Sequence, residues 1–201
     1  MSLATGKVGT LLSARPLTEL QAARLNRLRK AATELASEGG YSAVTMRAVA
    51  ERADVGLATV YRYFSSKDHL IADVHAMKSA AVLESLHTDP PSGGSAAEQV
   101  AAVFYRMLEA TAEDLDLASA GVSAIASGDP NASSPEYWQK IVMVSYLDVA
   151  LGDQDVGNRQ ELGAILGHIF FSLMVGMAGG RHSLRETKEV MKKAVYLILD
   201  K

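Results

Sequence analysis

The residues of this chain whose types and spacing suit one chemistry lie close together, in the stretch TMRAVAERADVGLATVYRYFSSKDHL from Thr45 to Leu70. Thr45, Arg47, Thr59, Tyr61, Arg62, Tyr63 and Lys67 supply hydroxyls, guanidinium groups, phenols and an ammonium. Such groups bind phosphate oxygens and the edges of bases. Met46, Val49, Ala50 and Ala53 fall on one helical face, and Val60 and Phe64 on another. Thr45 offers a hydroxyl cap to the first helix, and Val55 plugs the short connection Asp54-Val55-Gly56. A capped helix, a tight turn and a second short helix make a helix-turn-helix, whose second helix fits a major groove. That second helix is expected to expose Leu57, Ala58, Thr59, Tyr61, Arg62 and Tyr63. The same spacing also fits a plain pair of packed helices whose tyrosines are half-buried.

The elements that must hold this stretch are helical throughout. Leu28, Ala31, Ala32 and Leu35 recur at three- and four-residue spacing, with Arg24, Arg27 and Lys30 off that stripe. Gly39-Gly40 should stop this helix. Beyond Phe64, Ser65 or Ser66 can cap a helix from Lys67 to about His87. Thr88 to Ser95, with Pro90-Pro91 and Gly93-Gly94, is the clearest break. Further helices are expected over Ala96–Glu113, Leu115–Ser127, Pro135–Leu151, Arg159–Gly179 and Leu184–Asp200. No run alternates with the period of a strand. The expectation is an all-α protein of about nine helices. Residues 1–16 should form a flexible tail, 17–70 the helix-turn-helix domain and 71–201 a second helical domain, with helix 67–87 connecting the two.

Charge sharpens this division. The 201 residues carry a formal net charge of -3 and no cysteine, which excludes disulfides and thiolate metal sites. A net acidic chain is a poor candidate for binding DNA, whose affinity rests on Lys and Arg neutralising phosphates. Up to Leu70, however, 10 basic residues stand against 6 acidic ones, and the acidic excess lies wholly beyond Ile71. A basic first third on an acidic remainder suggests two modules with different partners.

The stretch resembles the DNA-binding domain of the tetracycline-repressor-like (TetR) family of bacterial regulators. The resemblance runs from Gly39-Gly40-Tyr41 and Thr45-x-Arg47-x-Val49-Ala50, through Ala53-Asp54-Val55-Gly56, to Thr59-Val60-Tyr61-Arg62-Tyr63-Phe64 and Ser66-Lys67-Leu70. It covers roughly Leu17 to Leu70. Glu38–Leu70 and the Arg159–Arg181 helix also resemble, less strongly, a subgroup of actinobacterial repressors of steroid and lipid catabolism. The resemblance implies that Thr45 meets a phosphate at a helix N-terminus, where the helix dipole favours an anion. It implies that Arg47 reaches a guanine or a phosphate, that Thr59 and Tyr61 contact bases or backbone, and that Tyr63 and Lys67 hold phosphate. Gly56, Leu57 and Ala58 depart from the polar residues common in the family. Specificity should then lean on Arg47, on apolar contacts to thymine methyls and on DNA shape.

Family precedent gives the remaining helices a ligand-binding and dimerising role, in a cytoplasmic homodimer on a palindromic double-stranded operator. Phe104, Met107, Leu108, Trp138, Val142, Tyr146, Phe170 and Met174 can line an apolar pocket for a small hydrophobic effector, a steroid metabolite or an acyl-CoA. The same residues serve equally as plain core. The dimer interface is expected on the last two helices, with Gly163, Gly167, Phe171 and Leu184 in it. Leu162 to Gly180 carries no charge and approaches the ~20 residues of a membrane span. With amphipathic neighbours, it reads as a buried interface helix. No cofactor, metal site or catalytic group is expected: the five histidines lack zinc-ligand spacing, and there is no serine elbow or phosphate-cradling loop. The competing class is a helical adaptor or enzyme without DNA contact.

Overall fold

The structure, a computed structural model, describes residues 17–132 and 142–200; the expected tail over residues 1–16 and Trp138 lie outside them. Nine helices and no strand occur among the described residues: α1 Glu19–Ala43, α2 Met46–Arg52, α3 Leu57–Tyr63, α4 Lys67–Thr88, α5 Ala96–Ala112, α6 Leu115–Ala126, α7 Met143–Leu151, α8 Arg159–Ala178 and α9 Leu184–Leu199. The helix ends follow local chemistry. Thr18 and Gln21 cap each other's backbone at the start of α1, Ser95 and Glu98 do so for α5, and Ser183 and Glu186 for α9. Gly39-Gly40 interrupts the helix as expected, both residues leaving helical geometry within the span assigned to α1. Gly40 takes φ 63°, open to a residue without Cβ, and the chain kinks there before a last turn reaches Ala43.

The described residues fall into two compact units, one of residues 17–80 and 119–132, the other of residues 81–118 and 142–200. The first unit is larger than the expected stretch 17–70, because α4 keeps packing past Leu70. Ile71 and Val74 are as deeply buried as Leu28, Val49 and Val60. Asp73 takes a forked pair of hydrogen bonds from Arg29 of α1, at 2.6 and 2.9 Å, with both side chains mostly covered. Residues 119–132 join this unit through the Ser66 hydroxyl, which donates to Asp129, and through Gly121, which lies against the His75 ring.

In the second unit, α5 packs on α7, α8 and α9, and α8 packs on α7 and α9. Its interior holds Phe104, Leu108, Tyr146, Leu147 and Leu166, each worth roughly 1.5–3 kcal/mol on burial. Five methionines are buried there too: Met107, Met143, Met174, Met177 and Met191. Helix α8 is the one described helix long and apolar enough to cross a membrane, yet one side of it is core, with Leu162, Leu166, Phe170, Leu173 and Met174 buried.

Candidate nucleic-acid interface

The helix-turn-helix is built by α2 and α3 against α1. Met46, Val49 and Ala50 bury the inner face of α2, and Val60 that of α3. Thr45 caps α2, its hydroxyl accepting from the backbone N–H of Ala48 at 3.1 Å. The cap leaves Thr45 exposed, with Arg47 two residues on and 84% open to solvent. Arg47 is only loosely held, 3.7 Å from Glu51. Arg52, on the other side of α2, is committed to α1 through two 2.8 Å bonds to Glu38.

Helix α3 presents an apolar outer face. Leu57 is 42% and Tyr61 53% exposed, with Ala58 and Arg62 also open. Gly56 precedes it with an ordinary φ of -69°, and a Cβ built there would meet nothing within 4 Å. The fold itself therefore does not require glycine at this position; a surface approached by another molecule's backbone would. Two expected contacts are turned differently. Thr59 is half-buried, and Tyr63 is half-buried with its hydroxyl donating to the Gln21 carbonyl at 3.3 Å. Tyr63 is drawn inward because that carbonyl of α1 lies within its reach, while Arg62 packs 5.5 Å from its ring.

Thr45, Met46, Arg47, Leu57, Tyr61, Ser65, Ser66 and Lys67 line one open cleft where α2, α3 and the start of α4 meet. Five of the ten expected contact residues thus share one surface. No acidic side chain lines it. Lys67 sits with its ammonium 3.5 Å from the centre of the Tyr41 ring. The Tyr41 hydroxyl donates to Asp68 at 2.6 Å, and this bond, aided by burial, pushes its phenol up to about 12. His69 accepts from or donates to Ser65 at 3.2 Å, and burial lowers its imidazole against the pull of Asp73 and Asp129. Met46, Ser65 and Ser66 were not expected as cleft residues. The two serines were legible as helix caps, and a cap serine at a binding surface faces both ways.

The expected effector residues are brought into one core. Phe104, Met107, Leu108, Tyr146, Phe170 and Met174 are all buried among α5, α7 and α8, with the Phe104 and Phe170 rings 5.7 Å apart. Val142 is half-buried, and Trp138 lies outside the described residues. On α8 two of the expected interface residues meet a neighbour within the chain. A Cβ on Gly163 or Gly167 would come within 3.4 or 2.9 Å of Met143, so their close approach is to α7 of the same chain. Phe171 and Leu184 are half-buried, and Ile165 is 51% exposed. No cluster of metal-ligating side chains occurs among the described residues.

Residues 28–74 match the model for bacterial regulatory proteins of the tetR family. The HTH-type transcriptional repressor KstR of Rhodococcus jostii (strain RHA1) is 31% identical over 89% of this chain and 84% of its own length. The chain belongs to the TetR family. This TetR-family chain is a DNA-binding transcriptional regulator with an N-terminal helix-turn-helix and a C-terminal helical domain. It is similar in fold to a TetR transcriptional regulator from Rhodococcus sp. RHA1, with TM-score 0.76 and 26% identity over 90% of this chain and 98% of that one. It shares the fold alone with FadR of Thermus thermophilus, a repressor solved with lauroyl-CoA, at TM-score 0.69 and 19% identity over 85% and 92% of the two chains.

Proposed function

We propose that this TetR-family regulator represses transcription from a palindromic operator, which it binds as a homodimer in the cytoplasm. A small hydrophobic effector releases it. The observation that carries the reading is the acid-free cleft, in which Arg47 and Lys67 flank the exposed Leu57 and Tyr61 of α3. Two such surfaces about 34–36 Å apart would meet successive major grooves. Thr45 and Lys67 hold phosphates, Arg47 reaches a phosphate or guanine, and Tyr61 and Arg62 touch bases or backbone. Leu57 and Ala58 meet thymine methyls, and Gly56 lets the DNA backbone come close. Thr59 and Tyr63 keep a smaller part, because much of each side chain is turned to the protein.

The second unit receives the effector and forms the dimer through α8 and α9, including Phe171 and Leu184. An apolar interior containing Phe104, Met107, Leu108, Tyr146, Phe170 and Met174, with Val142 beside it, suits a steroid or an acyl-CoA-type metabolite. Trp138 is proposed to orient the bound molecule. The lauroyl-CoA held by the T. thermophilus protein supports the acyl-CoA class. The effector acts by favouring a dimer whose recognition helices no longer match the groove spacing.

Fluorescence anisotropy with duplexes flanking the protein's own gene tests the reading. Saturable binding is expected, lost on Arg47→Ala with the dimer intact and reversed by a steroid or acyl-CoA. Absence of binding to any such duplex at low salt would leave the helical adaptor as the better account.

A further inference from the structure

Lys67 alone does not explain how a long, rotatable side chain is kept ready at the mouth of the cleft. Its ammonium lies 3.5 Å from the centre of the Tyr41 ring, well inside the range of a cation–π contact. Asp68, the acid next to Lys67 in sequence, is itself engaged, since the Tyr41 hydroxyl donates to it at 2.6 Å. Lys67 has no ion pair with a described carboxylate. One residue at the kinked end of α1 therefore touches both the cation and its adjacent acid.

We propose that Tyr41 is a positioning residue for DNA binding, its ring holding the Lys67 ammonium toward a phosphate while its hydroxyl keeps the Asp68 carboxylate from capturing it. The proposal rests on the reading of Lys67 as a phosphate contact. The Gly39-Gly40 kink is what brings Tyr41 there: a straight helix would carry residue 41 along the axis of α1, whereas the turn at Gly40 redirects it. The bond to the Asp68 carboxylate, aided by burial, raises the phenol further above its ordinary value, so the hydroxyl stays a donor well into the alkaline range.

The two arms of this role separate by substitution. Tyr41→Phe keeps a ring and frees Asp68; Tyr41→Leu removes the ring as well. Binding of the full-length dimer to a mixed-sequence duplex is followed against salt, because a phosphate contact contributes about 0.9 to the slope of log K on log[salt]. Lys67→Ala should lower the slope by about that amount per half-site. Tyr41→Phe should weaken binding about three- to tenfold and lower the slope in the same direction. Adding Asp68→Asn to Tyr41→Phe should restore both affinity and slope. The same substitution added to Tyr41→Leu should not, because the platform itself is gone. In a Lys67→Ala background neither Tyr41 change should alter binding further.

Wild-type affinity and slope in both Tyr41 variants would overturn the proposal. So would equal losses with Lys67 absent, which would mean a structural role for Tyr41. An unchanged slope in Lys67→Ala would overturn the phosphate role of Lys67, and the positioning role with it. Thermal melts accompany each variant, and Tyr41→Phe, the mildest, keeps the test open if Tyr41→Leu unfolds.

Discussion

Ser66 donates its hydroxyl to the carboxylate of Asp129, 63 residues further along the chain, while accepting the backbone N–H of His69 at 3.0 Å. One hydroxyl therefore caps α4 and also fastens the segment after α6 to it. Ser66→Ala should cost about 1 kcal/mol of stability, in line with the loss of a helix cap, as read by urea unfolding. The Ser66 bond, ahead of the Asn131 backbone N–H, holds the Asp129 carboxyl below its usual range. A carboxylate lowered in the folded state stabilises above its unfolded pKa, near 4, and loses that contribution as pH falls through the folded value. Asp129→Asn should flatten the stability profile there; a profile identical to wild type would mean the contact is not maintained in solution.

Arg29 and Asp73 form the most enclosed ion pair described, joining α1 to α4. Removing one partner leaves the other partly desolvated without a counter-charge. Asp73→Ala should destabilise by about 2–3 kcal/mol, less than a fully buried pair would lose because both groups keep some solvent. Arg29→Met with Asp73→Leu should recover much of the loss. Equilibrium denaturation of the two singles and the double measures the coupling, and strict additivity would contradict it.

His75 is enclosed by neighbouring atoms, and the loss of solvation this imposes on a charged ring, more than nearby Lys78, lowers its imidazole to about 4. A depressed histidine favours the neutral form in the folded state. Its contribution is complete above the unfolded pKa of about 6.5 and disappears as pH falls toward 4. Melting temperature should drop across that window, with a loss of about 1–3 kcal/mol at its acid end. His75→Gln should remove most of the slope. Gly121→Ala, which would bring a Cβ to 3.0 Å from the ring nitrogen Nδ1, should destabilise at every pH.

Gly56 separates binding from folding. Its φ of -69° suits any residue, and the space around it is open. Gly56→Ala should leave stability unchanged or raise it by about 0.4–1 kcal/mol through a less flexible unfolded chain. Operator affinity should nevertheless fall. Retained affinity would show that no backbone comes close at that point.

Leu57 and Tyr61 are open on α3, so truncating either to alanine should scarcely alter the melting temperature. Each should cost about 1–3 kcal/mol of discrimination between operator and unrelated duplex if it meets a base. Arg47→Ala should instead act largely through the salt slope. Competition assays at two salt concentrations distinguish these effects, and a uniform loss for all three variants would assign Leu57 and Tyr61 to the DNA backbone.

The helix-turn-helix was readable because its signals are local: a threonine cap, a three-residue turn, and apolar positions at helical spacing. Its cleft was half readable for the same reason. The turn of Tyr63 toward the protein was not readable, because sequence cannot reveal that the Gln21 carbonyl, 42 residues earlier, lies within reach of its hydroxyl. The union of residues 119–132 with α1 to α4 was hidden likewise, since Ser66 and Asp129 are related by no period. Gly163 and Gly167 advertise close approach to something, but a small residue carries no mark of its neighbour. That neighbour is Met143 of α7.

Met143 is one of five thioethers in the interior of the second unit. Unbranched and polarisable, methionine side chains refill irregular space by bond rotation at little cost. On the proposed reading of this unit as the effector site, softness of this kind would let side-chain rotation shape the interior to an apolar guest, so that the sulfur content of the core bears on which outlines fit.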